Sequence, residues 1–470
     1  MPHPWCACDS NQIRLGSRIN SKAHPSVPPA PRKLLIVSPH FPPFNAPDMQ
    51  RVRMSLPFYR ACGWEPVVLA VHEHWLDGDM EEDLLATVPS DVRIEKCRAI
   101  PRRWSRWLGL GTLGLRCLPF IFWRGCRLLR KEKFDLVFFS NTQFITFPLG
   151  IVWKFLFGVP YVLDFQDPWR TDYYKRPGSR RAPGGWKYQF SRFQAWALEG
   201  PSVACAAGVM SVSPKYLEDL DTRYRRFAGK PSIVLNFGAS RTDLARARDL
   251  GPKVQLFRRE PGLVHLVYTG ASGPVTPHAV EVLFDALRSF RDLSPARAAR
   301  LRLYFVGTSY APAGLARPSV MPLAEARGVA SLVEEVPHRV GFLESLRLQQ
   351  EADVLMLLGS SDLAYSPSKM YVYYLTNRPI LGLVFRGSVM EKLLDELSCA
   401  HMVRFSEAED KGAAHAQLRA FFNLALDGFK PGTQPQRSEG LFNERYQAEE
   451  LAHRQCAFFA SVAVTPRPVR

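Results

Sequence analysis

The chain has 470 residues, 46% hydrophobic and 22% charged, which excludes wholesale disorder and a collagen-like repeat and allows two large domains or three small ones. Its 61 Lys+Arg against 44 Asp+Glu leave a net charge of +17, so an anionic partner is expected. Nine scattered cysteines with no CxxC fit neither a zinc site nor a disulfide framework and read as reduced core positions in a cytosolic protein.

The first thirty-odd residues lack an apolar h-region and read as a disordered leader, not a signal peptide, which implies a cytoplasmic product. From Lys33 onward, short β-branched apolar runs alternate with helical stretches. The runs LLIVS (34–38), PVVLAV (66–71), DLVFFS (135–140), PYVLDF (160–165), GVMSVS (208–213) and SIVLN (232–236) are apolar on both faces, as strands covered by helices on both sides are. A polar stretch at 238–262 interrupts the pattern. It resumes with LVHLVYTG (263–270), LRLYFVG (301–307), DVLMLLG (353–359), PILGLV (379–384) and HMVRF (401–405). Two such series predict an α/β protein of two Rossmann-like doubly wound parallel-sheet domains. The expected division is a leader at 1–32, a first domain at 33–238, a second at 239–435, and a C-terminal helix and tail at 436–470. The helical stretch 442–460 is free to dock on either domain.

Two apolar stretches approach membrane-spanning length. Arg116, Pro119 and glycines interrupt 107–123, and Lys154, Pro148 and Pro160 interrupt 144–163, so neither reads as a span. Gly109-Leu-Gly-Thr-Leu-Gly114 spells GxGxxG, but PRRWSRW precedes it where a dinucleotide fingerprint requires a strand. Asp77-Gly78-Asp79 sits in an acidic run and reads as a solvated loop, not a metal-binding DxD. No metal site is expected. Residues 101–133 carry nine basic residues and one acid, interleaved with Trp104, Trp107 and Trp123. That mixture suits an anionic membrane surface; nucleic acid would be drawn by the charge, but no nucleic-acid module is recognisable.

Two segments carry the chemistry. In the first, strand 34–38 ends in a Pro/Asn loop, Asp48 can cap a helix with Val52, Leu56 and Tyr59 on its apolar face, and Arg51 and Arg53 occupy its first turns. Open α/β sheets bind ligands at such a carboxyl edge. Arg51 either reaches over that crevice or merely coats the surface. In the second, DVLMLLGSSDLAYSPSKMYVYYLTN (353–377), Ser366 can cap a helix with Pro367 as its first residue. The N–H groups of Ser368 and Lys369 then face the crevice, where with the Lys369 ammonium they suit a diphosphate, while Tyr371, Tyr374 and Leu375 pack the helix.

From Leu34 to about Phe405 these motifs, in this order, resemble the retaining family 4 glycosyltransferases of the GT-B fold. Phe41, Pro42, Pro43, Arg51, Gly63, Trp64 and Pro66 match that family's opening loop and helix. Asp164-Phe-Gln-Asp167-Pro-Trp169 is similar to its DxRDPW strand end, with Gln166 for arginine. Ser211-Val-Ser213-Pro214, Asn236-Phe-Gly238, Tyr268-Thr-Gly270, Gly307 and Pro367-Ser-Lys369-Met-Tyr371 follow. The resemblance implies two domains facing an interdomain cleft. It implies donor contacts from Thr269, Gly270, Gly307, Asp362, Ser368, Lys369 and Tyr371, and acceptor-side contacts from Pro43, Arg51 and Trp169. Asp167 becomes the acid/base or acceptor-orienting candidate, and His40 a second catalytic candidate, each with a structural alternative. The partners implied are a nucleotide sugar, as substrate and not cofactor, and a lipid-linked or polysaccharide acceptor, handled by a protein peripheral to the inner membrane face. No cofactor is expected.

The departures are specific. The family's two sugar- and ribose-facing carboxylates fall on Ala364 and Val372, its loop glycines on Ala46-Pro47, and no cation follows YTG. These changes keep open a second reading, a GT-B binding protein without turnover. A nicotinamide oxidoreductase would rest on the Gly109–Gly114 motif alone.

Overall fold

The computed structural model describes residues 31–78, 80–107, 111–170, 185–250, 260–272, 276–309, 311, 314–363, 368–406 and 411–463. Seven parallel strands form the first sheet: β1 (Arg32–Val37), β2 (Trp64–Val71), β3 (Arg93–Cys97), β4 (Leu136–Ser140), β5 (Tyr161–Phe165), β6 (Gly208–Ser211) and β7 (Ser232–Val234), in the order β3-β2-β1-β4-β5-β6-β7. Six more form the second: β8 (Val264–Thr269), β9 (Leu301–Val306), β10 (Val333–Val336), β11 (Val354–Leu358), β12 (Ile380–Phe385) and β13 (His401–Phe405), in the order β10-β9-β8-β11-β12-β13. Strand order reverses between β1 and β4 and again between β8 and β11. Those two switch points open the crevices in which such sheets hold ligands.

The central strands are buried on both faces because helices cover both. Leu35 and Val37 of β1 enter one core, and Leu34 and Ile36 enter another on the opposite face. Two strands escaped the sequence reading, β3 (RIEKC) and β10 (VEEV). Both lie at sheet edges, where charged side chains remain in water and no continuous apolar run forms.

The C-terminal stretch resolves into two helices, Glu439–Tyr446 and Ala448–Ala463, and the second docks on the first sheet's layer. Phe459 meets Trp64 and Phe138 with ring centroids 5.8 and 4.8 Å apart, and Gln455 accepts a hydrogen bond from the Tyr59 hydroxyl. Gly208 makes room for it, since a Cβ there would lie 2.7 Å from the Phe458 ring. A chain end from beyond the second sheet thus straps the two halves together.

The apparent dinucleotide and metal motifs have structural roles. Gly114 lies inside the helix Leu113–Lys131, not at a strand end, and its N–H donates to the Gln143 side chain; Gly109 lies outside the described residues. Asp77 pairs with Arg116 at 2.8 Å and Arg102 at 3.6 Å, while Asp79 lies outside the described residues. Seven cysteines are described as free thiols, and burial pushes Cys97 up to about 12 and Cys399 up to about 11, so neither is nucleophilic near neutrality. Among the described residues no helix is long and apolar enough to cross a membrane, and no cluster of side chains could hold a metal ion.

Candidate active site

A cleft of about 280 Å³ separates the carboxyl edges of the two sheets, at the small end of ligand-sized sites. Pro47, Gln50 and Met54 line it from the first domain. Phe237 to Ser240 and Asp243 form its floor, and Thr269, Phe342, Gln349, Ser368, Lys369 and Val372 close it from the second.

Lys369 opens the helix Lys369–Leu375, and its Nζ lies 3.8 Å from the centroid of the Tyr268 ring at the end of β8. Among the described residues no carboxylate pairs with it. Burial pushes its pKa down to about 7, because the ammonium has left water without gaining a counter-charge. Gly270 follows β8 at φ +112°, and a Cβ there would come within 2.9 Å of the Lys369 Nζ; Gly307, at φ +75°, lies against Gly270. Both glycines let the backbone turn beside the lysine where a side chain would fill the space. Gly270→Ala is therefore expected to strain the turn by about 1–3 kcal/mol and to displace Lys369. A thermal melt reads the first effect and nucleotide titration the second; a variant that melts and titrates like wild type would show that the space is not used.

Thr269 and Ser368 join Lys369 at the cleft, with Thr269 Oγ1 accepting from Gln349 Nε2 at 2.9 Å. Other expected donor residues do not. Tyr371 is buried and stacks on Tyr446 at 4.7 Å, facing the C-terminal strap because its position on the helix turns it away from the cleft. Asp362 is exposed and does not line the cleft, so it stands in for neither missing carboxylate. The helix also begins later than expected. Ser368 holds the cap position, while Ala364, Ser366 and Pro367 lie outside the described residues. Val372 does occupy the cleft, where it can accept no hydroxyl hydrogen bond. Gln349, buried beside it and bonded to Ser345 Oγ at 3.0 Å, is the polar group best placed to compensate, and its pattern in sequence was merely that of a helix face.

Arg51 does not reach over the crevice. It is buried, with Nε 2.8 Å from Asp164 Oδ2 and a hydrogen bond of 2.7 Å to the Leu235 carbonyl, because its helix faces the end of β5. Gln166 reinforces the same knot by donating to the Asp48 carbonyl and the Ser140 hydroxyl, both at 3.0 Å. Pro43 is buried and its carbonyl accepts from the Glu81 N–H, whereas Trp169 stacks on Phe144 at 5.7 Å, and neither lines the cleft.

Asp48 is not the expected cap. It lies in a 3₁₀ turn, Pro47–Met49, ahead of the helix Gln50–Tyr59, and both its oxygens reach His40 Nδ1 at 2.9 and 3.0 Å. Thr142 donates its N–H and hydroxyl to the same carboxylate at 3.2 and 2.9 Å. Burial alone would raise the Asp48 pKa, but the His40 and Thr142 interactions outweigh it and hold the carboxyl below its usual range. Asp167, exposed beyond β5, is pushed the other way, by the surrounding protein and then by the Asp48 charge. Asp48 thus bonds one candidate, His40, and biases the other, Asp167; the sequence reading gave it only a cap's role because Thr142, which helps hold it, lies 94 residues away. Asp48→Asn should destabilise the fold by about 1–3 kcal/mol, since Thr142 and His40 lose a charged acceptor. A melting curve superimposing on wild type would refute that network.

Two further contacts join the domains. Arg53 forks onto Asp243 through bonds of 2.9 and 2.6 Å, and its guanidinium lies 4.9 Å above the Phe342 ring. Glu81, from the first domain, accepts the Phe342 N–H at 2.6 Å and so caps the helix Phe342–Glu351 of the second.

The fold and this cleft define the class: a GT-B protein, two doubly wound domains meeting over an interdomain site. Residues 50–236 match the family model of the glycosyl transferase 4-like domain, so the first domain is similar to that family. Solved structures agree in fold. WaaG, a glycosyltransferase involved in lipopolysaccharide biosynthesis, is 14% identical with a TM-score of 0.51, over 92% of this chain and 98% of its own. The Escherichia coli trehalose-6-phosphate structure bound with UDP-2-fluoro glucose is 11% identical with a TM-score of 0.56, over 93% and 100%. A UDP-N-acetylglucosamine 2-epimerase is 12% identical with a TM-score of 0.52, over 93% and 98%. A transferase and an epimerase on one fold show that such likeness carries architecture and not activity. A search of curated protein sequences finds no match.

Proposed function

We propose that this protein transfers a sugar, with retention, from a nucleotide-sugar donor to a membrane-associated or envelope glycan acceptor, without a metal or other cofactor. The observation that carries this reading is the Lys369 ammonium, held without an acidic partner among the described residues beside Gly270 in the interdomain cleft. As the bond between the anomeric carbon and the diphosphate breaks, negative charge grows on the leaving group, and a preorganised cation beside an open backbone turn stabilises it. The acceptor hydroxyl attacks on the face the diphosphate leaves. Asp167, with its raised pKa, receives or steers that hydroxyl's proton, and His40 is held by Asp48, whose charge acts on Asp167. On this reading the protein works at the cytoplasmic face of the inner membrane, with the basic segment 101–133 against the lipid.

Calorimetric titration with UDP, GDP and ADP tests the donor half. Binding of one of them is expected, and binding of none would overturn the reading. The turnover half is tested by nucleotide release from a panel of donor sugars with membrane extract as acceptor. Val372 favours the rival, a binding protein that holds nucleotide but does not turn over; tight binding without release would establish it.

A further inference from the structure

We propose that one face of the first domain docks on an anionic lipid bilayer, through a surface that extends well beyond residues 101–133. Three helices, Leu113–Lys131, Pro148–Phe157 and Trp186–Cys205, lie side by side over one face of the first sheet. Cys117, Ile121, Trp153 and Val203 enter the same core. Their packing is close: a Cβ at Gly125 would lie 2.2 Å from the Trp153 ring, and Lys154 Nζ donates to the Cys205 carbonyl at 2.8 Å.

What these helices turn outward is unusual for a surface meant for water. Trp123 is 65% exposed, Phe155 88% and Trp196 63%, with Leu156 and Phe193 also exposed beside them. Phe193 and Trp196 have ring centroids 6.0 Å apart, so they form one patch along the third helix. Each such aromatic bares on the order of 100 Å². Together they bare several hundred Å², the size at which an apolar surface patch is often functional.

The charge around this face has one sign. The three helices contain a single acid, Glu199, and it is buried against Arg223 and Tyr224. Arg127, Arg130 and Lys131 are exposed, and among the described residues none of them has an acidic partner. Where the first two helices end, a groove of about 960 Å³ is lined by Arg130, Lys131, Lys133 and Lys154, together with Phe157. The acids nearby are already engaged, Glu132 with Lys33 and Arg93, and Asp135 with the Lys33 N–H.

Protruding apolar side chains, flanked by cations without acidic partners among the described residues and by a groove those cations line, match the interface of an anionic membrane. The rings and Leu156 enter among the acyl chains while the cations stay with the headgroup phosphates. Nucleic acid would use the cations and stack on the rings but has no use for exposed Val152 and Leu156.

Flotation of the full chain with vesicles of phosphatidylcholine alone, and with about 30 mol % phosphatidylglycerol, tests this directly. Wild type should float with the anionic vesicles only and be released by salt. The variant Phe155→Ser/Leu156→Ser/Trp196→Ser should lose binding about tenfold or more, as should Arg127→Glu/Lys131→Glu. Circular dichroism and nucleotide titration of both variants should match wild type, since none of these residues lines the cleft. That separates failure here from failure of the transferase reading. Wild type that stays with the soluble fraction, or variants that float unchanged, would overturn the proposal. So would a wild-type dimer that the aromatic variant dissolves, or binding to single-stranded RNA in preference to the vesicles.

Discussion

Lys369→Met should sharply weaken nucleoside diphosphate binding and at the same time make the protein more stable. The wild-type ammonium, in a half-buried side chain, has lost much of its hydration and gained only the Tyr268 ring in return, which is why its pKa falls to about 7. Replacing it with an apolar chain of similar length removes that cost, and a gain on the order of 1 kcal/mol is expected by thermal denaturation, as when a site's strained group is relieved. A charged hydrogen bond to the diphosphate is lost in exchange, weakening binding by about 100-fold in calorimetry.

The pH dependence separates this account from a simple packing effect. Between about pH 7 and the unfolded value near 10.4 the unfolded chain holds a proton on Lys369 that the folded chain has released, so folding stability rises with pH across that window. Below about 7 both states are protonated and the slope from this group vanishes. Lys369→Met should flatten the rise. Diphosphate binding should run the opposite way, weakening about tenfold per pH unit above 7, because the free protein must take up a proton to bind the anion. Affinity independent of pH from 6.5 to about 9 would remove Lys369 from the site.

Arg53→Met should be the most damaging single substitution at the domain junction. Both partners of the Arg53–Asp243 fork are buried, so removing the guanidinium strands a carboxylate away from water, at a cost of about 3–5 kcal/mol. The first calorimetric unfolding transition should fall by roughly 10 °C. The double variant Arg53→Met/Asp243→Leu should recover most of that loss, because an apolar pair of similar volume carries no unmet charge. A single variant that melts within a degree or two of wild type would mean that the cleft stands open in solution with both groups hydrated.

The alternation of apolar runs with helical stretches was enough to predict two doubly wound sheets, and eleven of the thirteen strands lie within or across the runs read from sequence. The two that were missed, β3 and β10, are edge strands whose charged side chains reach solvent and so break the pattern used to find them. Lys369 near a helix start could be read from the residues themselves, whereas Gly270 and Gly307, which the structure shows at positive φ, entered only through the resemblance of their motifs. The site was illegible where a side chain's role depends on which remote element it meets. Arg51 and Arg53 stand two residues apart on one helix; one is consumed by Asp164 and the other by Asp243, and neither reaches a ligand.

The succession of strands and helices, and with it the fold class, follows from the chain alone, because periodicity is a local property of a few consecutive residues. The linkage of His40 to Asp48, the turning of Tyr371 toward the C-terminal strap and the gathering of Trp123, Phe155 and Trp196 on one face were decided by tertiary packing. The last two depend on segments tens of residues apart, and the first is fixed by Thr142, 94 residues from Asp48, so no local pattern encodes them.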